Sequence, residues 1–227
     1  MHPHACRQFY KLLQSLTDEG IQIIYATHER SFIDLADYQS VHIVRKTPNT
    51  IVSSGSAIAP REERARLQVL TKFDEQMNEA FFANCVILTE GPTDEIACKC
   101  ALGKLDVELD RESISVLGLG GKGDLHVVAG VLQGFHIPTI VLIDEDPGDE
   151  TTEREINQCR AIVGDDNVIL QRPNLESMFG RQQKPNRADA LEFFPTWFGE
   201  HQQDEVPDIY SEVAARAIVL LAENRAM

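Results

Sequence analysis

The sequence predicts an α/β protein whose main domain is a parallel sheet with helices on both faces. Two features carry that prediction. Four short apolar runs, at 85–89, 113–117, 139–143 and 167–170, are separated by stretches of helical character around 94–103, 124–134 and 151–163, the alternation that parallel strands with crossover helices produce. The chain has 227 residues, 43% hydrophobic and 25% charged. It is long enough to bury a core without staples and too apolar to be a disordered or low-complexity segment.

Taken in order, Phe9, Leu12, Leu13 and Leu16 share one helical face, and Asp18-Glu19-Gly20 supplies a stop, so a helix is expected over 5–20. The apolar run at 21–26 predicts a buried strand. A second β-like run at 40–45 leads through Thr47-Pro48-Asn49-Thr50, a turn signal, into Ile51-Val52-Ser53. Between 60 and 83 the charges are dense while Leu67, Leu70, Phe73, Met77 and Phe81 recur every three or four residues, the mark of an amphipathic linking helix and of a domain boundary. The stretch 171–227 mixes Pro and Gly punctuation with a terminal helix from 209 to about 223. No internal repeat is visible.

Charge and cysteine content exclude several classes. Lys and Arg number 21 against 36 Asp and Glu, a net charge of −15, so the chain cannot embrace DNA or an anionic membrane over a broad surface. Any nucleic-acid contact must be local or bridged by metal ions. Five cysteines, without a C-x-x-C pair, indicate neither a disulfide framework nor a zinc site and fit a reducing compartment. No apolar run approaches the ~18 residues of a membrane span, and the start lacks a basic region followed by an apolar one. A cytoplasmic protein with no membrane partner is expected.

Ligands of a parallel α/β sheet bind beyond the carboxyl ends of its strands. The first run of the main domain leads into Thr89-Glu90-Gly91-Pro92-Thr93-Asp94, and the third into Asp144-Glu145-Asp146. If the extended conformation persists, Asp144 and Asp146 share one face, while Asp94 stands one helical turn beyond Glu90. Four converging carboxylates repel one another, and a divalent cation relieves them. Hard oxygen ligands without a neighbouring His or Cys favour Mg²⁺ or Mn²⁺ over zinc. Either motif alone reads equally as a helix cap or a solvated turn; the pair, at two strand ends of one sheet, favours a metal site.

These motifs resemble the Toprim domain, the metal-binding fold of topoisomerases, primases and a set of nucleases. With Phe81-Phe82-Ala83-Asn84 before the first strand, Gly120-Gly121-Lys122-Gly123 after the second and Asn174-Leu175-Glu176 after the fourth, residues 81–190 are similar to the OLD (overcoming lysogenization defect) family of ATP-dependent endonucleases. Upstream, Ile23-Ile24-Tyr25-Ala26-Thr27-His28 resembles the strand of ABC-type ATPases that ends in the switch histidine, and His2-Pro3-His4 resembles the residues after a Walker B acid. On spacing alone His28 reads equally as a capping or core histidine. There is no G-x-x-x-x-G-K-[ST] motif, so this chain is not expected to hydrolyse ATP.

The resemblance implies four parts: 1–59 the tail of an ABC-type ATPase domain, 60–83 the linking helix, 84–190 a Toprim nuclease domain and 191–227 a small helical appendage. It implies a DNA endonuclease using two divalent ions, Mg²⁺ or Mn²⁺, with ATP serving only the full-length protein. The implied partners are DNA, the rest of the ATPase domain and a second copy in a homodimer. Glu90 and Asp94 would hold one side of the metal pair, Asp144 and Asp146 the other, with Glu176 a further ligand; Asp149, Glu150 and Glu153 are expected as solvated charges. Glu90 and Asp144 count as catalytic. Lys184, in a local basic stretch with Arg172, Arg181 and Arg187, matches the family's catalytic lysine, though an exposed loop lysine is the plainer reading. Gly120, Gly121, Lys122 and Arg172 would meet a phosphate. Gly118-Leu119-Gly120-Gly121-Lys122-Gly123 also satisfies G-x-G-x-x-G, but it follows the second strand rather than the first and leaves the acids without a role. With the tyrosines outside the Toprim stretch and no zinc module, a topoisomerase or primase is disfavoured. The competing class is a non-catalytic nucleotide- or phosphate-binding regulatory module.

Overall fold

The computed structural model describes residues 3–33, 40–45, 51–54 and 77–226. The N-terminal helix is present as α1, Pro3–Asp18, ending at Gly20 with φ 86°. The strand expected at 21–26 is absent: the chain there is irregular and largely exposed, with Ile24 at 89%. An apolar run becomes a strand only where a neighbour takes its backbone hydrogen bonds, and no described strand lies alongside. The hairpin is present, β1 His42–Arg45 pairing antiparallel with β2 Ile51–Ser54; its turn, 46–50, lies outside the described residues. So does most of the linking helix expected over 60–83, including Leu67, Leu70 and Phe73. Its described end, Met77–Phe82, is a 3-10 helix whose Met77 and Phe81 reach the core.

Four strands form the main sheet: β3 Cys85–Thr89, β4 Ile114–Gly118, β5 Thr139–Asp144 and β6 Val168–Gln171, all parallel in the order β4-β3-β5-β6. Between and after them come α2 Pro92–Lys104, α3 Leu125–Gly134, α4 Glu150–Val163, α5 Arg187–Glu200 and α6 Asp208–Ala226. The α/β class and the parallel sheet with flanking helices are thus as expected. Every residue of β3 and of β5 is buried, which is why both read as unbroken apolar runs.

Successive side chains of each strand serve opposite faces. Val86, Leu88, Val141, Ile143 and Val168 face Leu125, Val128 and Leu132 of α3 and Ile156 and Cys159 of α4. Cys85, Ile87, Ile140, Leu142 and Ile169 face Ala97, Cys98 and Leu102 of α2 together with α5 and α6. The C-terminal stretch is helical as expected, and it is also a structural layer. Phe194, Phe198, Tyr210, Val213 and Ala217 join the second core, where the Phe179 ring stands edge-on to Phe194 and Trp197. Asp149, expected as a solvated charge, caps α4 by accepting from the Thr151 N–H and the Thr152 hydroxyl. No helix among the described residues is long and apolar enough to cross a membrane.

Because Phe194 is fully buried beneath the sheet, Phe194→Ala should cost about 3–5 kcal/mol of unfolding free energy. Urea denaturation measures this; a loss below about 1 kcal/mol would mean that α5 is dispensable to the core.

Candidate active site

The carboxyl ends of β3 and β5 lie side by side, Thr89 in register with Leu142, so the residues that follow them share one crevice. Glu90 leaves β3 and turns its Oε1 to accept the Asp144 N–H at 2.9 Å. Asp94, in the first turn of α2, is fully buried. Asp144 is the last residue of β5, and its Oδ1 accepts the Leu175 N–H at 2.9 Å. That bond ties it to the helical turn Leu175–Met178 and gives an acceptor to the Leu175 N–H, while the Asn174 side chain serves the Ser177 N–H.

Lys184 stands among the three acids. Its Nζ is 2.9 Å from Asp94 Oδ1, 3.1 Å from Asp144 Oδ2 and 3.9 Å from Glu90 Oε2. The loop carrying it is held by the Thr93 hydroxyl, which donates to the Pro185 carbonyl at 3.1 Å. Glu176 lies near enough to Asp94 to raise its pKa, and its Oε2 is buried with no hydrogen-bond partner. Asp94 Oδ2 is buried and unpartnered in the same way.

One ammonium cannot neutralise three carboxylates. Burial, then repulsion from Asp144, pushes the Glu90 carboxyl up to about 7, and burial pushes Asp144 up to about 6 against the lowering pull of Lys184. Asp94 is raised too, chiefly by burial. Burial alone would lower the Lys184 ammonium, but Asp94, Asp144 and Glu90 outweigh it and hold it above its ordinary value. The lysine therefore stays charged while the acids retain protons to unusually high pH.

Beyond Asp144 the extended conformation does not persist: Asp146 has φ 40°, and its N–H donates to the Pro173 carbonyl, so the shared face expected for Asp144 and Asp146 is not formed by strand geometry. Gly120 and Gly121 have φ of 80° and 157°, and the Gly121 N–H donates to the Glu90 carbonyl at 2.7 Å. That amide braces the acidic loop instead of facing a phosphate; Lys122 opens the next helical turn. Arg172 pairs with Glu145 at 3.3 Å, Arg181 lies 4.4 Å from the Phe193 ring centre, and Arg187 begins α5. His28 is exposed in the irregular segment after α1 and does not end a strand.

Three contributors were missed in the sequence. Glu95 Oε2 accepts the Gly118 N–H at 3.1 Å, Thr93 anchors the lysine loop, and Gly118 itself permits close approach. A Cβ on Gly118 would stand 2.5 Å from the Gly91 carbonyl, inside any real contact distance. The signal available was the pair of glycines at the ends of two adjacent strands. Tyr210, by contrast, is fully buried, and burial raises its hydroxyl well above the usual value, which removes it as a nucleophile.

A hard divalent cation fits this donor set: carboxylate oxygens only, two of them buried without partners. As they stand, no three acids among the described residues are spaced to grip one ion; the ammonium is between them. In chelator-treated protein the raised carboxyls bind more protons folded than unfolded, so their stabilising effect is full below the unfolded pKa and is lost as pH rises through about 6 to 7. Metal-free protein should lose thermal stability between about pH 4 and pH 7, and Glu90→Gln should flatten that slope and melt higher at the alkaline end. An unchanged melting profile in the variant would contradict the assignment.

Comparison with known proteins gives a consistent picture. Residues 81–146 match the family model described as overcoming lysogenization defect protein-like, Toprim domain. The OLD nuclease of Thermus scotoductus is 32% identical over 203 residues, 79% of this chain and 38% of that protein. The Old nuclease of Escherichia phage P2 is 26% identical over 157 residues, 64% of this chain and 26% of that one. The chain thus spans well under half the length of either relative. Among solved structures, the C-terminal region of the Xanthomonas campestris pv. campestris OLD protein superposes with a TM-score of 0.50 at 15% identity, covering 64% of this chain and 97% of that one; the likeness is one of fold.

Proposed function

Since residues 81–146 belong to the OLD-like Toprim family, we propose that this chain carries the nuclease half of an OLD-type enzyme and hydrolyses DNA phosphodiesters with Mg²⁺ or Mn²⁺. The observation that carries the proposal is the convergence of Glu90, Asp94 and Asp144 on one point at the carboxyl edge of a parallel sheet. Divalent ions held there would lower the pKa of an attacking water and stabilise charge on the leaving 3′ oxygen. Glu90, Asp94, Asp144 and Glu176 would hold them, with Asp146, two residues beyond Asp144, as a further ligand. The Asp144 N–H and the Leu175 N–H each hold one oxygen of two of these carboxylates through hydrogen bonds, which limits how far those side chains must turn to meet an ion.

Lys184 would act on the substrate itself. Its side chain is 32% exposed, so the ammonium can turn from the acids to a phosphate oxygen and stabilise charge that grows in the transition state. In this reading 84–190 is the nuclease domain, 60–83 the linker and 1–59 the tail of an ATPase domain whose nucleotide-binding motifs are not in this sequence. ATP is then a ligand of the longer protein.

Asp144→Asn keeps the Leu175 contact while removing a charge, and it should reduce Mn²⁺-dependent nicking of supercoiled plasmid to background. Cleavage at the parent's rate would sink the metal-centre reading, and a parent that binds DNA without cleaving it under any divalent ion would favour the non-catalytic module. Lys184→Ala should slow single-turnover cleavage by ~100-fold at saturating DNA. A variant that binds DNA more weakly but cleaves at full rate once saturated would make Lys184 a phosphate contact only.

A further inference from the structure

In metal-free protein the acids and the lysine form a closed unit. Lys184 Nζ lies within ion-pair reach of all three carboxylates, so it stands at the point from which a cation would reach the same oxygens. The acids are not separately arranged for an ion among the described residues. Yet the lysine does not satisfy them. Asp94 Oδ2 and Glu176 Oε2 stay buried and unpartnered, and a single ammonium faces three carboxyl groups.

The loop is built so that the side chain can leave while the backbone stays. Upstream, the Arg181 N–H donates to the Glu176 carbonyl at 2.8 Å; downstream, the Pro185 carbonyl accepts from the Thr93 hydroxyl, and Pro185 is buried. Between these anchors Gln182 and Gln183 are exposed. Rotation about the four-carbon stem of Lys184 carries its ammonium into solvent without breaking either anchor. The ion pairs, not the fold of the loop, keep it inside.

We propose that Lys184 is a tethered counter-ion that occupies the divalent-cation position of the metal-free protein and is displaced when the ion binds. The proposal rests on the metal-centre reading above and extends it to an order of events. Without the lysine, three ionised carboxylates in one crevice would repel one another. With it, the metal-free fold is held together, at the expense of metal affinity, since an incoming ion must break three ion pairs. The displaced ammonium stays on its tether, freed from the carboxylates at the moment the site becomes competent, and the nearest new anion is a substrate phosphate. The lysine would thus engage DNA only after metal is loaded.

Calorimetric titration of Mn²⁺ into parent, Lys184→Met and Lys184→Arg, at fixed ionic strength and without DNA, tests this. The Met variant should bind the ion at least about tenfold more tightly, because the competing charge beside the ligands is gone, while the Arg variant should not gain. Equal or weaker binding by the Met variant overturns the counter-ion and leaves the metal centre intact; no Mn²⁺ binding by parent or variant overturns both. Should the Met variant fold poorly without metal, the parent supplies a second measurement, the Lys184 ammonium resonance in ¹⁵N spectra assigned by its absence in Lys184→Arg. It should be protected from solvent exchange in metal-free protein and lose that protection on saturation with Mg²⁺. Protection that survives saturating Mg²⁺ overturns the proposal.

Discussion

Carboxylates brought together in a crevice of low dielectric must find positive charge or keep their protons, and most of the architecture around the sheet's carboxyl edge answers to that constraint. Parallel pairing of β3 with β5 puts Glu90 beside the backbone of Asp144, and β6 delivers the Leu175 N–H to the other side of the same aspartate. Two apolar cores clamp these strands from both faces. The acids therefore cannot drift apart to relax their repulsion, and the strain falls on protonation and on Lys184. A sheet less fully covered would let the loops splay and would lose the site before losing the fold.

The contrast with Glu155 separates a buried acid whose oxygens are satisfied from one whose oxygens are not. Glu155 is 4% exposed, as deeply placed as Asp144, yet it accepts both the backbone N–H and the ring Nδ1 of His126. It joins α4 to the first turn of α3, where an acceptor for a free N–H is needed. Asp94 is buried further, and its one side-chain partner among the described residues is the lysine. Buried polar groups are ordinarily satisfied, so the acid that is not is the one to suspect of binding something. The same test picks out Glu176 over the other acids that follow the strands.

Much of this was legible in the sequence because the sheet is buried on both faces. Runs such as 85–89 and 139–143 have one reading when helical stretches separate them, and glycine and acid at their ends mark where a ligand goes. The run at 21–26 has the same composition, but whether a strand forms depends on a neighbour that local sequence does not encode. Asp144 and Asp146 were paired by a rule that holds only while the chain is extended, and the turn at φ 40° ends its reach. Lys184 was found by resemblance and by scarcity of positive charge. Its seat among the acids depends on a contact between Thr93 and Pro185, 92 residues apart in the chain, which no window of sequence can contain.

Charge also governs how nucleic acid could approach the crevice. A protein of net charge −15 repels DNA at long range, and two basic side chains of the 171–190 stretch are already engaged, Arg172 by Glu145 and Arg181 by an aromatic face. Attraction for a phosphate must then be created locally. On the proposed function, filling the crevice with divalent charge does this in two ways, by cancelling the acids and by releasing the one ammonium they hold. A site organised so is repulsive to nucleic acid when empty and attractive when loaded, so that substrate affinity and catalytic competence arise from the same event instead of from a separate basic platform.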